Sequence, residues 1–197
     1  MDRFPSAPGS KVERPPQLLS EVEPIMEGGL VLRKREDIDR LVEFPLVDAC
    51  RALYDKNIQT WQSSANKQDL LNGAVRITID YESLSEENKL IAEEIGKLWK
   101  YEERELVSLS VPVSEVTVIA EIQTRMGALV DRLLPQPPAW IEARTVDDFS
   151  AIYGSNLTEQ DLKDWPEEEG GWYFDEKSHL FYPSEEQFKK VKEYQDK

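Results

Sequence analysis

The clearest signal along the chain is an alternation of apolar and polar side chains. Val75, Ile77, Ile79 and Tyr81 alternate with Arg76, Thr78 and Asp80, a period of two that predicts a strand over 74–81 with one buried and one wet face. Val107, Leu109, Val111 and Val113 alternate in the same way with Ser108, Ser110 and Pro112, predicting a strand over 106–113. Elsewhere the spacing switches to three and four. Leu46, Ala49, Cys50, Leu53 and Tyr54 predict a helix over 45–56 that opens on Pro45, since proline fits the first helical position. Leu84, Ile91, Ile95 and Leu98 form the stripe of a second helix over 84–98, capped by Ser83 or Ser85. Val116, Ile119, Ile122, Met126, Leu129, Val130 and Leu133 mark a third over 115–134, with Ser114 as N-cap and Pro135, Pro137 and Pro138 as its stop. Shorter apolar runs predict strands over 30–33 and 57–62, and the charges from Lys97 to Glu105 read as a turn.

Without the last helix this order is βαββαβ. It predicts an α+β fold of the ferredoxin-like, split-βαβ kind: a four-stranded antiparallel sheet with helices on one face, extended by one extra helix. Pro112 suits an edge strand there, where a missing N–H is tolerable. The alternative is a three-stranded α/β layer with the N-terminal piece packed elsewhere. Residues 1–27 read as a flexible Pro-rich tail, in which Leu18, Leu19, Val22 and Ile25 can form a short docking turn. Residues 28–134 read as the core domain. Residues 135–197 read as an acidic, aromatic appendage, with short helices after Thr145 and Thr158, a β-hairpin around 175–178 and a charged C-terminal helix after Ser184.

Charge bears on partners. The 197 residues carry 24 Lys+Arg against 39 Asp+Glu, a net charge of −15, and residues 135–197 alone carry −8. Such a field repels phosphate backbones and anionic membrane surfaces and attracts basic proteins. Nucleic acid is therefore not the expected ligand, and only a locally basic face such as Arg33, Lys34, Arg35 and Arg40 would change that. No apolar run reaches membrane-spanning length and no apolar segment follows Met1, so a soluble cytoplasmic protein is expected. One cysteine, Cys50, excludes an internal disulfide and a cysteine zinc site.

Candidate chemistry is sparse. Between two adjacent strands lies a polar loop longer than a hairpin needs, and its Ser63, Ser64, Asn66 and Lys67 carry groups suited to a phosphate or carboxylate. No phosphate-loop or dinucleotide motif accompanies it, and no cofactor or metal is expected. Trp61 beside it reads as core or as a stacking surface. Cys50, on an apolar helix face, reads as a buried thiol, His179 as a surface residue, and Asp80 with Glu82, Glu86 and Glu87 as a solvated face. The C-terminal aromatics Trp165, Trp172, Tyr173, Phe174, Phe181, Tyr182 and Tyr194 form either a mini-core or a contact surface. The preferred expectation is a non-enzymatic protein that engages another protein, or its own copy, through Trp165, Trp172, Tyr173, Phe181 and Tyr182. The alternative is a small-anion binder or enzyme built on the 63–67 loop.

Overall fold

A computed structural model describes residues 15–25, 32–154, 156–165 and 171–196. The fold is α+β, with a four-stranded antiparallel sheet and several helices. In chain order the elements are α1 (Asp37–Leu41), α2 (Val47–Asp55), β1 (Thr60–Ser64), α3 (Asp69–Asn72), β2 (Ala74–Asp80), α4 (Glu86–Ile95), β3 (Lys97–Tyr101), β4 (Arg104–Pro112) and α5 (Ile119–Arg132). They are followed by α6 (Val146–Tyr153), α7 (Glu159–Lys163), β5 (Tyr173–Asp175), β6 (Leu180–Tyr182) and α8 (Glu185–Gln195).

The sheet order is β1-β2-β4-β3, and every neighbouring pair is antiparallel. This differs from the ferredoxin-like order in two ways. Residues 30 and 31 of the expected first strand lie outside the described residues, and Leu32 and Arg33 join no strand: the Arg33 N–H donates to Asp37, and the Arg33 carbonyl accepts from Ser184. The fourth strand is instead β3, from the stretch read as a turn. Only Glu102 and Glu103 separate β3 from β4, too few for a crossover, so the two must be neighbours. Pro112 consequently sits on a central strand, but past the end of β3, whose last partner on β4 is Ser108.

One sheet face is the core. Val75, Ile77 and Ile79 pair with Val111, Leu109 and Val107, and all six are buried against Leu53 and Tyr54 of α2, Ala92 of α4 and Ile122, Met126 and Val130 of α5. Ser85 caps α4, accepting the Asn88 N–H. Ser114 does not cap α5. Its N-cap is Val118, held extended in a bridge with Leu18 of the N-terminal segment: Leu19 N–H donates to the Thr117 carbonyl and Ile119 N–H to that of Gln17. The described part of the Pro-rich segment is thus docked, with Leu19 and Val22 buried.

The C-terminal residues form a second, small core of Phe149, Leu162 and Phe181, ringed by Trp165, Trp172 and Phe174. Thr145 and Thr158 cap α6 and α7 in reciprocal capping boxes with Asp148 and Asp161. This unit is bolted to the main core through polar contacts. Arg33 donates to the Gly171 carbonyl at 2.9 Å, and Lys190 to the Tyr54 carbonyl at 2.8 Å and to Asn57 Oδ1 at 3.1 Å. Buried Gln136 ties the chain leaving α5 to the main core, donating to the carbonyls of Asn57 and Ser83 and accepting from Ser85 N–H and Asn88 Nδ2.

Candidate functional site

The loop beyond β1 is occupied by its own protein. Ser63 pairs with Ile77 on the core face of the sheet. Ser64 donates to Asp69 Oδ2 at 2.7 Å. Asn66 is buried, donating through Nδ2 to Glu43 Oε1 at 2.8 Å and accepting the Gln68 N–H through Oδ1. Lys67 pairs with exposed Glu23. The structure therefore brings the four residues together around carboxylates: Glu43 also accepts the Ala65 N–H, and Asp69 that of Asn66. An incoming anion would meet three acidic side chains and donors already in use. A nearby open depression of about 410 Å³ between residues 22–25 and α2 is walled by Glu23, Asp39, Glu43 and Asp48, and its Arg51 is paired with Asp39 and Asp48.

The C-terminal aromatics are largely turned inward. Phe181 and Tyr182 are buried. Trp172 lies edge-to-face on Phe149 at 4.7 Å, with the guanidinium groups of Arg33 and Arg144 at 5.3 and 5.9 Å from its ring. Tyr173 packs against Phe188 and Trp165 against Tyr153. Trp165, Trp172 and Tyr173 keep part of their surface in solvent; Phe181 and Tyr182 present almost none.

Three lesser candidates fall into ordinary places. Cys50 is buried, and desolvation pushes its thiol up to about 12 although Ser63 hydrogen-bonds to it, leaving no thiolate for nucleophilic work. His179 occupies the left-handed position of the β5–β6 turn at φ 55°, with Nδ1 3.4 Å from Glu159. Asp80 pairs with Arg104 and Glu86 with Lys89; among the described residues no set of acids, histidines or cysteines converges as metal ligands.

The site that sequence reasoning missed is the other face of the sheet. By register, Arg76, Thr78 and Asp80 of β2 share this face with Ser110, Ser108 and Leu106 of β4, and with Lys97, Trp99 and Tyr101 of β3. A register shift between Thr60 and Gln62 frees Trp61 of β1 to reach the same side. Its ring meets that of Tyr101 edge-to-face at 5.5 Å, and Tyr101 meets Trp99 at 6.4 Å. The Arg104 guanidinium lies 5.9 Å from the Trp61 ring and 3.3 Å from Asp80. Trp99 Nε1 donates to Ser108 Oγ at 2.9 Å, which also lies 3.2 Å from Thr78 Oγ1.

The result is a row of three aromatic rings laid across the open face. Leu106 stands on this side yet is only 1% exposed, because the flanking side chains close over it. The rings themselves stay in solvent: Trp61 is 39%, Trp99 38% and Tyr101 49% exposed. The helices that build the main core, α2, α4 and α5, lie on the opposite face. Among the described strand residues that register places on this face, Arg76, Lys97 and Arg104 outnumber Asp80, in a chain of net charge −15; Glu102 and Glu103 lie in the turn that joins β3 to β4. The arrangement has no activated nucleophile or paired acid and base. What it offers is apolar area, fixed hydroxyls and cations, the composition of a contact surface. No protein-family model, curated protein or solved structure matches this chain, so its functional assignment rests on the chemistry of this face.

Proposed function

We propose that the chain is a non-enzymatic protein-binding module whose contact surface is the open sheet face centred on Trp61, Trp99, Tyr101 and Arg104. The observation that carries this reading is the half-exposed aromatic row beside cations on a face that no core helix covers. Trp, Tyr and Arg are the residue types that dominate binding energy at protein interfaces. The rings are held by one another and by the Trp99–Ser108 hydrogen bond, so little side-chain entropy remains to be lost on binding. The favoured partner is a protein segment that brings apolar side chains to the rings and a carboxylate to Arg76, Lys97 or Arg104. The C-terminal aromatics support this role from a distance: Phe181 is part of the small core and Tyr182 is buried, whereas Trp165, Trp172 and Tyr173 retain surface for a secondary contact.

Ring geometry argues against single-stranded nucleic acid at the same place. Base stacking needs open ring faces, whereas interplanar angles of 67° and 74° set ring edges against ring faces here. The overall negative charge opposes a phosphate backbone as well.

Selection of a displayed random-peptide library on the full chain tests the proposal. The expected binders combine aromatic or leucine residues with Asp or Glu and shift the indole N–H resonances of Trp61 and Trp99. Their affinity for Trp99→Ala falls roughly 30-fold, the equivalent of about 2 kcal/mol for a hot-spot residue, and that for Arg104→Glu falls as well. Selected peptides that bind both variants normally, and that shift only Trp165 and Trp172, overturn it.

A further inference from the structure

The two edges of the sheet are unlike. The β1 edge is broken by the irregularity at Trp61, and just past its end the Lys67 N–H donates to the Val22 carbonyl of the N-terminal segment. The β3 edge carries neither bulge nor proline, and all five of its residues are exposed. Its free backbone groups can be assigned. Tyr81 N–H donates to the Glu105 carbonyl, so Glu105 and Val107 turn their peptide groups toward β2. By alternation, Arg104, Leu106 and Ser108 bond β3 through Tyr101, Trp99 and Lys97. The N–H and C=O groups of Leu98 and Lys100 therefore point outward, away from the sheet. No described strand pairs with them.

We infer that β3 is a self-complementary edge through which two copies of the chain join their sheets antiparallel about a two-fold axis at Trp99. That register sets Leu98 of each copy opposite Lys100 of the other, so that all the free N–H and C=O groups of both residues are satisfied by four hydrogen bonds. It sets Trp99 opposite Trp99 as a non-hydrogen-bonded pair, in which side chains approach most closely. Lys97 falls beside Tyr101 of the other copy, a cation against an aromatic ring, and near the acidic turn Glu102–Glu103. The strand is thus bipolar, with a cation at one end and acids at the other, and antiparallel pairing matches opposite ends. Edge lysines ordinarily discourage such pairing. Here Lys100 is neutralised by its own Glu105 at 2.9 Å, which also holds its ammonium pKa above the ordinary value, and Lys97 gains partners. The product is a continuous eight-stranded sheet in which the two aromatic rows meet at the axis. This inference stands on the strand edge and does not depend on what the sheet face binds.

Sedimentation of the full chain between about 1 and 200 μM tests it. The expected mass at the upper end is twice 22.7 kDa. Leu98→Pro removes an outward N–H while leaving the β3–β4 ladder intact, and is expected to be monomeric with cooperative unfolding retained. Independently, Trp99→Cys in a Cys50→Ser background is expected to oxidise rapidly to a disulfide dimer, since directly opposed residues lie within disulfide reach. Gln62→Cys, on the other edge, is expected not to do so. A chain that stays monomeric at 200 μM overturns the inference. So does a dimer in which Trp99→Cys oxidises no faster than Gln62→Cys. If Leu98→Pro fails to fold, the cysteine comparison decides alone.

Discussion

Gly96 is the joint on which the aromatic face depends. It is the C-cap of α4 and immediately precedes β3 in extended backbone, at φ −127°, so its need for glycine is spatial rather than conformational. A Cβ placed on it would lie 2.6 Å from Val107 Cγ2, 3.0 Å from the Ala92 carbonyl oxygen and 3.1 Å from that of Ser108. Real Cβ atoms do not approach so closely, and Val107 is fully buried in the core, so it has little room to yield. Gly96→Ala is therefore an overpacking change, costing about 1–3 kcal/mol. In a chain of this size that is roughly 2–12 °C in Tm. The mechanism makes a sharper claim than the magnitude. Val107→Ala alone costs roughly 2 kcal/mol for lost burial and a small cavity, but it removes the methyl that Gly96→Ala strikes. Urea denaturation of both single variants and the double variant should give a double-variant loss smaller than the sum by about 1 kcal/mol. The two carbonyl contacts survive, so relief is partial. Additive losses, or a Gly96→Ala variant within about 0.5 kcal/mol of the parent, would refute the argument that close approach selects glycine here.

Other consequences follow from buried and capped groups. Glu43→Ala leaves the N–H of buried Ala65 and the amide of Asn66 without their acceptor. It should cost about 3 kcal/mol in urea denaturation, with faster amide exchange at Ala65, whereas Glu43→Gln should cost less. Cys50, with its thiol pushed up to about 12 by burial, should resist a thiol reagent at pH 8 until denaturant opens the core; prompt labelling of the native chain contradicts this. Asp148 and Asp161 are held below the usual carboxylate range, Asp148 first by the Thr145 backbone N–H and Asp161 first by the Thr158 hydroxyl. A folded-state value below the unfolded one gives stability that is present above about pH 4 and is lost as the pH falls further. The stability difference between pH 7 and pH 3 should therefore shrink in the Thr145→Ala, Thr158→Ala variant, and an unchanged difference refutes the assignment.

Half-buried strands were legible because their side chains obey one rule. Val75, Ile77 and Ile79 face a core while Arg76 does not, and the same alternation located β4. Capping residues were legible for a similar local reason: Ser85, Thr145, Thr158 and Ser184 each accept the backbone N–H three residues on. β3 was not legible, since an edge strand exposed on both faces carries no core periodicity. Its Leu98 follows Ile95 at a helical spacing and so extended the α4 stripe across Gly96. Leu32, the described end of the Leu30-Val31-Leu32 run, departs from the expected strand for a different reason. Leu32 packs against the core from an irregular segment whose carbonyl is taken by Gln187 of α8, a contact 155 residues distant that no local pattern announces.

The candidate site was hidden by the same physics. Its rings come from Trp61 and from Trp99 and Tyr101, about forty residues apart in sequence and on opposite edges of the sheet. Trp-x-Tyr at a period of two was the available trace, but inside a run of charges it reads as a turn unless Gly96 is taken as a helix stop. The C-terminal aromatics drew attention instead, because they cluster in sequence. Density along the chain favours a local mini-core, and that is where Phe181 and Tyr182 lie, packed against Phe149 and Phe188. Rings exposed at separated positions must be held in place by something other than burial. On this face they are held by edge-to-face contacts and by Ser108, which accepts the Trp99 indole N–H. Ser108→Ala removes that acceptor from a half-exposed site, where water can replace it, so it should leave stability within about 0.5 kcal/mol. It should also loosen Trp99, lowering its fluorescence anisotropy in a chain whose other tryptophans are Phe. A ring that stays equally ordered would show that packing alone fixes the row.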